Sequence, residues 1–368
     1  MGAPVRTHPF FYLNLHSRQL PFVCSRVINR MHFIERIHKT LVPKPSGEFV
    51  VLDLFAGCGG LALGFEAMGF DTIGFEMDAD ACRTYSQNLC GVCHQAVLTP
   101  QTEYPSADVI IGGPPCQPFS VGGSQLGLKD SRDGFPTFIS AVEKVNPDIC
   151  LFENVRGLLY SNRWYFDEIL GRLKDLNYIV EFKLLNAVDY GIPQNRERVI
   201  VIGHRGEFHF PTEQKTKICV QEALGEFLLH APPESKFLTA SMDEYVAKYE
   251  RASFCKTPRD LHPHKPARTL TCRNLAGATG DMHRIKLPDG RRRRILLREA
   301  ARLQSFPDSY EFYGSQISCF NQVGNAVPPL LGWHLAASIR DYLATSKRFS
   351  SAEIAIRNNL GQRLLALH

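Results

Sequence analysis

A chain of 368 residues that is 44% hydrophobic and 21% charged can bury a large core with material left for a second, smaller domain, which excludes a disordered protein. Its formal charge of +5 permits a polyanionic partner without requiring one; seven Lys/Arg against only Asp289 and Glu299 fall between Lys286 and Arg302, so the remainder is close to neutral. Eleven cysteines, with no stretch of secretory-leader or membrane-spanning character, predict reduced thiols in a soluble cytoplasmic protein without a membrane anchor.

Residues 1–48 mix basic and apolar side chains without a chemical motif and read as an N-terminal accessory segment, closed by Pro43, Pro45 and Gly47. From Phe49 the pattern changes to short apolar runs, each followed by a turn and a helical stretch: Val50–Phe55, Thr72–Phe75, Asp108–Ile111, Ile149–Phe152 and Val199–Ile202. That alternation predicts an α/β domain over 49–203, a parallel sheet with helices on both faces. The first run enters the turn Ala56-Gly57-Cys58-Gly59-Gly60, and Leu61, Phe65 and Met68 recur beyond it at helical spacing. Glycines between a strand and a helix N-terminus let a ligand approach the backbone closely. Glu76 follows Asp53 by 23 residues and ends the second strand, where a carboxylate accepts both hydroxyls of a ribose. A nucleoside cofactor is expected; S-adenosylmethionine and a dinucleotide are not separated by these residues. Cys90, Cys93 and His94 start a ligand-like spacing, but no second pair follows, so no metal is expected.

The third run ends in Gly112-Gly113-Pro114-Pro115-Cys116-Gln117-Pro118-Phe119-Ser120. Prolines fix Cys116 at the C-terminal end of a strand, where such sheets bind ligands. Ser120 to Phe135, with Gly122, Gly123, Gly127 and Gly134 plus Lys129 and Arg132, fits a closing lid. Ile149–Phe152 delivers Glu153, whose desolvation would keep a proton available. Gln194-Asn195-Arg196-Glu197-Arg198 offers two arginines on one face if extended, although Glu153 and Arg196 could equally neutralise each other as a buried pair. The rhythm then fades: prolines 211, 232, 233, 258 and 263 mark an irregular inserted unit from His204 to about Lys265, and Arg291–Arg294 reads as a phosphate grip.

In order and spacing these segments, together with Arg298-Glu299-Ala300-Ala301-Arg302-Leu303-Gln304-Ser305-Phe306-Pro307 and Gln322-Val323-Gly324-Asn325-Ala326-Val327-Pro328, resemble the signatures of the DNA cytosine-5 methyltransferases of bacterial restriction-modification systems, over roughly residues 49–340. The resemblance implies a Rossmann-like S-adenosylmethionine-dependent methyltransferase fold, a target-recognition region at 204–284 and a C-terminal part, 285–368, returning to the catalytic domain. It implies Cys116 as nucleophile, Glu153 as the donor to cytosine N3, and Arg196 and Arg198 as the cationic clamp, with Arg198 on O2. S-adenosylmethionine would be held by Asp53, Phe55, Ala56, Gly57, Cys58, Gly59, Gly60, Leu61, Glu76, Met77, Pro115, Asn325 and Val327. The implied partner is double-stranded DNA, a cognate endonuclease would act separately, and a monomer is expected. The family often places an aspartate near the adenine after the third strand; between Asp80 and Asp108 this chain has only Glu103, so that contact stays unassigned. Three alternatives remain at this point. An RNA methyltransferase would share every catalytic residue, although the Cys-Phe-Thr tripeptide of the tRNA-methylating branch is absent. A catalytically silent relative would lack the nucleophile or the donor, and a nicotinamide oxidoreductase would leave PPC, ENV and QNRER unexplained.

Overall fold

The apolar run after Phe49 forms β1 (Val50–Leu54), the strand on which the sheet is built in a computed structural model that describes residues 31–115, 133–252, 259–277 and 281–346. β2 (Asp71–Glu76) and β4 (Val109–Gly112) flank it in parallel, β3 (Val92–Gln95) adds the outer edge beside β2, and β5 (Ile149–Val155) continues beyond β4. Successive residues serve opposite faces. Val51, Ile111, Leu151, Ile200 and Ile202 enter one core, while Leu52, Leu54, Ile110, Phe152, Val199 and Val201 enter the other. Both faces are covered, which is why these strands read as continuous apolar runs.

The expectation of an all-parallel sheet needs one correction. Val199–Ile202 lies in β8 (Glu197–His204), which runs antiparallel to β5 on one side and to β6 (Ile179–Asn186) on the other, giving the order β3-β2-β1-β4-β5-β8-β6. Asn186 and Glu197 are register partners, and the short turn Ala187–Tyr190 between them leaves no room for a crossover helix, so the chain must reverse. This is a Rossmann-like arrangement, an α/β sheet with one reversed strand. Helices α1 (Met31–Thr40), α2 (Gly60–Ala67), α3 (Ala79–Asn88), α4 (Phe135–Val145) and α5 (Arg163–Asp175) pack around it. α1 is no appendage: Phe33, Ile37 and Leu41, spaced along one helical face, are buried in the same core as Phe65 and Leu335, so residues 31–48 belong to the catalytic body.

Beyond β8 the chain builds the smaller unit. Ala267–Arg268 (β9) pairs in parallel with Gln194–Asn195 (β7), and Arg284–Lys286 (β10) makes a hairpin with Arg292–Arg294 (β11). The hairpin is bonded to what precedes it, through Leu261 N to Arg284 O, Leu238 N to Arg292 O and Arg294 N to Lys236 O. A boundary at residue 284 therefore cuts through β10. Within the four-arginine run, Arg292 and Arg293 are not free to grip phosphate. Arg293 is buried in a bidentate pair with Glu299 at 2.6 and 3.0 Å, Arg292 is held by Asp260 and Asp243 at 2.8 and 3.1 Å, and Arg291 pairs with Asp289 at 2.7 Å over the Phe237 ring. Arg292 and Arg293, doubly held or buried, must lose a carboxylate before either can take a phosphate, whereas the exposed Arg291 pair is weakly held. The chain then returns through α6 (Leu297–Leu303), α7 (Gln316–Asn325) and a helix over 329–346. Among the described residues no helix is long and apolar enough to cross a membrane.

Candidate active site

The Gly-rich turn after β1 curls because three of its residues take left-handed backbone: Phe55 (φ 59°), Gly57 (54°) and Gly59 (82°). A left-handed phenylalanine is strained, the kind of outlier that collects at ligand sites. Ala56 N bonds Phe75 O at 3.1 Å and Gly59 N bonds Ala56 O at 3.0 Å, which pins the curl to β2. A Cβ on Gly60 would lie 2.5 Å from Val327 O, so the loop can approach the C-terminal signature this closely only as glycine. At Gly57 an added Cβ would meet nothing within 4 Å; this part of the loop faces open space.

Glu76 stands across that space. Its carboxylate accepts from Gly57 N and Asp78 N, each at 2.8 Å, so it is fixed in place and keeps lone pairs for a further donor. Asp53 lies beneath the loop, buried, with Oδ2 unpartnered; burial first and the nearby Glu76 second hold its carboxyl well above the usual range. The expected cofactor residues divide accordingly. Phe55, Ala56, Gly57 and Glu76 are part-exposed and Met77 is exposed, whereas the Cys58 and Leu61 side chains are buried and Gly59 and Gly60 offer backbone alone. Burial pushes the Cys58 thiol up to about 12 and the Cys150 thiol likewise to about 12, which keeps both protonated near neutral pH. Asn325 accepts from Cys272 Sγ at 2.9 Å.

β4 runs out through Gly113 and Pro114 to Pro115, whose carbonyl takes Gly134 N at 3.0 Å, while Asn154 Nδ2 holds Pro114 O at 2.9 Å. Cys116 and most of the expected lid, residues 116–132, lie outside the described residues. What surrounds the point of departure is described. Glu153, at the end of β5, meets Arg198 on β8 with Nε 2.7 Å from Oε1, both side chains only 11% exposed. The approach is off the line of a hydrogen bond, so Glu153 Oε1 accepts none in its buried position. A Cβ built on Gly113 would come within 3.8 Å of Glu153 Oε2, which places this carboxylate beside the strand end that leads to Cys116. Arg198, but not Glu153, lines a cavity of about 410 Å³ together with Val155, Arg156, Asn195, Glu197 and Thr269.

Arg196 stands elsewhere. It does not pair with Glu153 and does not line the cavity; it is fully buried, donating to Leu270 O at 2.7 Å, Ala326 O at 2.9 Å and Gly324 O at 3.2 and 3.3 Å. Burial, and then Arg198, press its guanidinium well below the usual arginine range. It is the pin of a polar network that the sequence reading missed. Gln194 Nε2 reaches Gln304 Oε1 at 2.8 Å and its Oε1 takes Leu270 N at 2.8 Å, while Gln304 Nε2 bonds Val323 O at 2.8 Å. Three signatures distant in sequence are thus stitched together. The recurrence of Gln beside each signature was the available signal.

A family described as C-5 cytosine-specific DNA methylase matches residues 49–341. Among curated relatives, the chain is 52% identical over 317 residues to the Type II methyltransferase M.AplI of Arthrospira platensis, covering 85% of this chain and 92% of the relative. It is 34% identical to the Type II methyltransferase M1.HphI of Haemophilus parahaemolyticus, covering 78% and 86%. Among solved structures, the Dnmt2 methyltransferase of S. pombe superposes with a TM-score of 0.63 at 17% identity over 80% of this chain and 99% of its own, a likeness of fold.

Proposed function

The chain belongs to the C-5 cytosine-specific DNA methylases, and from that premise we propose that it is the modification enzyme of a Type II restriction-modification system, acting on a cytosine flipped out of its target duplex. As a DNA cytosine-5 methyltransferase it uses S-adenosylmethionine, which supplies an electrophilic sulfonium methyl group. The residues fit that cofactor: the open face at Gly57, the carboxylate of Glu76 for the ribose hydroxyls and the exposed Met77. Glu76→Ala should weaken S-adenosylmethionine binding by about 1–3 kcal/mol, the size of a lost charged hydrogen bond, and unchanged affinity in calorimetry would remove Glu76 from the site.

The observation that carries the reading is the Glu153–Arg198 pair, a buried acceptor without a hydrogen bond behind a cation that lines the cavity. Carbon 5 of cytosine is too poor a nucleophile to take a methyl group unaided. The Cys116 thiolate adds to carbon 6, and the displaced electron pair is drawn toward carbon 5 as Glu153 delivers a proton to N3 and Arg198 stabilises O2. Once carbon 5 carries the methyl group, its proton leaves to a base or water, N3 returns its proton to Glu153, and expulsion of the thiolate restores the ring. Both faces of the ring must be open, so the base leaves the stack at a cost of a few kcal/mol. Arg196 acts through position: it fixes the segment that carries Arg198. The target-recognition region is best drawn to include the hairpin, from His204 through Arg294. The protein acts as a cytoplasmic monomer, with the endonuclease of the same target acting separately.

The test is methyl transfer from labelled S-adenosylmethionine into unmethylated genomic duplex DNA and, in parallel, into tRNA, followed by sequencing of the product. Label at carbon 5 of cytosine within one recurring duplex sequence is expected. Label confined to tRNA, or none, would sink the reading.

A further inference from the structure

Of the two arginines that line the 410 Å³ cavity, Arg198 is already compensated by Glu153 in a nearly buried pair. Arg156 is different. It sits one residue past β5, 59% exposed, with its guanidinium 2.7 Å from Glu197 Oε2 and 5.5 Å from the centre of the Tyr160 ring. An ion pair this exposed contributes little to stability, because water screens it and two side chains must be ordered to make it. It holds a planar donor fork at the cavity rim by contacts that cost little to break.

A base that enters this cavity carries its phosphodiester with it, and the phosphate, being charged, stays at the wet rim. A carboxylate and a phosphate offer the same two-oxygen edge to a guanidinium. We propose that Arg156 is the phosphate contact of the flipped nucleotide, and that Glu197 holds its place until DNA arrives and is then exchanged for the phosphate. This rests on the assignment of the cavity to the substrate base. The Tyr160 ring backs the guanidinium through the exchange and keeps it at the rim.

The exchange makes opposite predictions for the two partners. Removing Arg156 loses the phosphate contact, whereas removing the charge of Glu197 removes a competitor and a repulsion. Binding is measured with a duplex carrying the sequence that the wild-type enzyme methylates, over a range of salt. Arg156→Gln should weaken binding roughly tenfold at low salt and make the slope of log K against log[salt] shallower by about 0.9, one phosphate's worth. Glu197→Gln should leave affinity unchanged or raise it. A neutral methylphosphonate at the target nucleotide should weaken the wild type about as much as Arg156→Gln does, and weaken Arg156→Gln no further. Unchanged S-adenosylmethionine affinity in calorimetry checks that both variants are folded. If both variants weaken DNA binding alike, the pair is a structural clasp and the proposal fails; it fails also if Arg156→Gln keeps the wild-type salt slope. A wild type that methylates duplex DNA while Arg156→Gln binds as it does overturns this inference alone. A wild type that does not methylate DNA overturns the functional reading beneath it.

Discussion

Replacing Arg196 by glutamine should lower the unfolding free energy by about 3–5 kcal/mol, a large share of the roughly 5–15 kcal/mol that holds a typical domain. The guanidinium serves three carbonyls, those of Leu270, Gly324 and Ala326, drawn from two remote parts of the chain. A glutamine amide has two donors on a shorter stem and cannot span them, so buried acceptors are left unpaired at about 1–3 kcal/mol each. Lysine should fail as well, since a point charge does not reproduce the planar fork. The reading is urea unfolding, where the midpoint should fall with the slope m preserved. The outcome separates two roles. A guanidinium that touched the base would cost turnover while leaving the midpoint in place; one that pins the network costs the midpoint first, and the folded fraction should retain its S-adenosylmethionine affinity.

Arg196 also shows where the sequence stops being readable. Two arginines at alternate positions share a face only along one continuous strand. Here the extended backbone is interrupted: Gln194–Asn195 pairs with Ala267–Arg268, Glu197–His204 joins the main sheet, and Arg196 lies at the break. Its side chain therefore turns inward while Arg198 faces the cavity. Strand direction was hidden for a related reason. The alternation at Val199–Ile202 reports which faces are buried and is identical for a strand and its reverse; only the short, helix-free link from β6 fixes the direction. β6 itself was passed over because, at the sheet edge, only Leu185 of its residues is buried and Glu181 and Lys183 interrupt its apolar side chains. The arginine run misled because Asp243, Asp260 and Glu299, which neutralise it, are brought in by folding. By contrast the Gly turn, Glu76 and Glu153 were legible, because each stands at a strand end, where an apolar run and a turn residue fix position together.

The largest effect on chemistry should appear at Cys116 and Glu153, and it can be read as a covalent adduct. With 5-fluorocytosine at the target position, addition of the thiolate to carbon 6 and methyl transfer to carbon 5 both proceed. Fluorine cannot leave carbon 5 as a cation, so the step that frees the enzyme is blocked and a denaturant-stable protein–DNA adduct should accumulate only with S-adenosylmethionine present. Cys116→Ser should form none, since a hydroxyl is scarcely ionised near neutral pH. Glu153→Gln keeps the size of the side chain beside Arg198 but has no acidic proton to give to N3. Adduct formation should slow by roughly 10²–10⁴-fold, the usual contribution of a positioned general acid, while S-adenosylmethionine binding is unchanged. Peptide mapping decides the nucleophile. Cys58 and Cys150 also lie on strands or loops of the catalytic sheet, but both are buried with thiols pushed up to about 12, so neither can supply a thiolate. A base found on either of them, or full-rate adduct formation by Glu153→Gln, would overturn the assignment of Cys116 as nucleophile or of Glu153 as its acid, respectively.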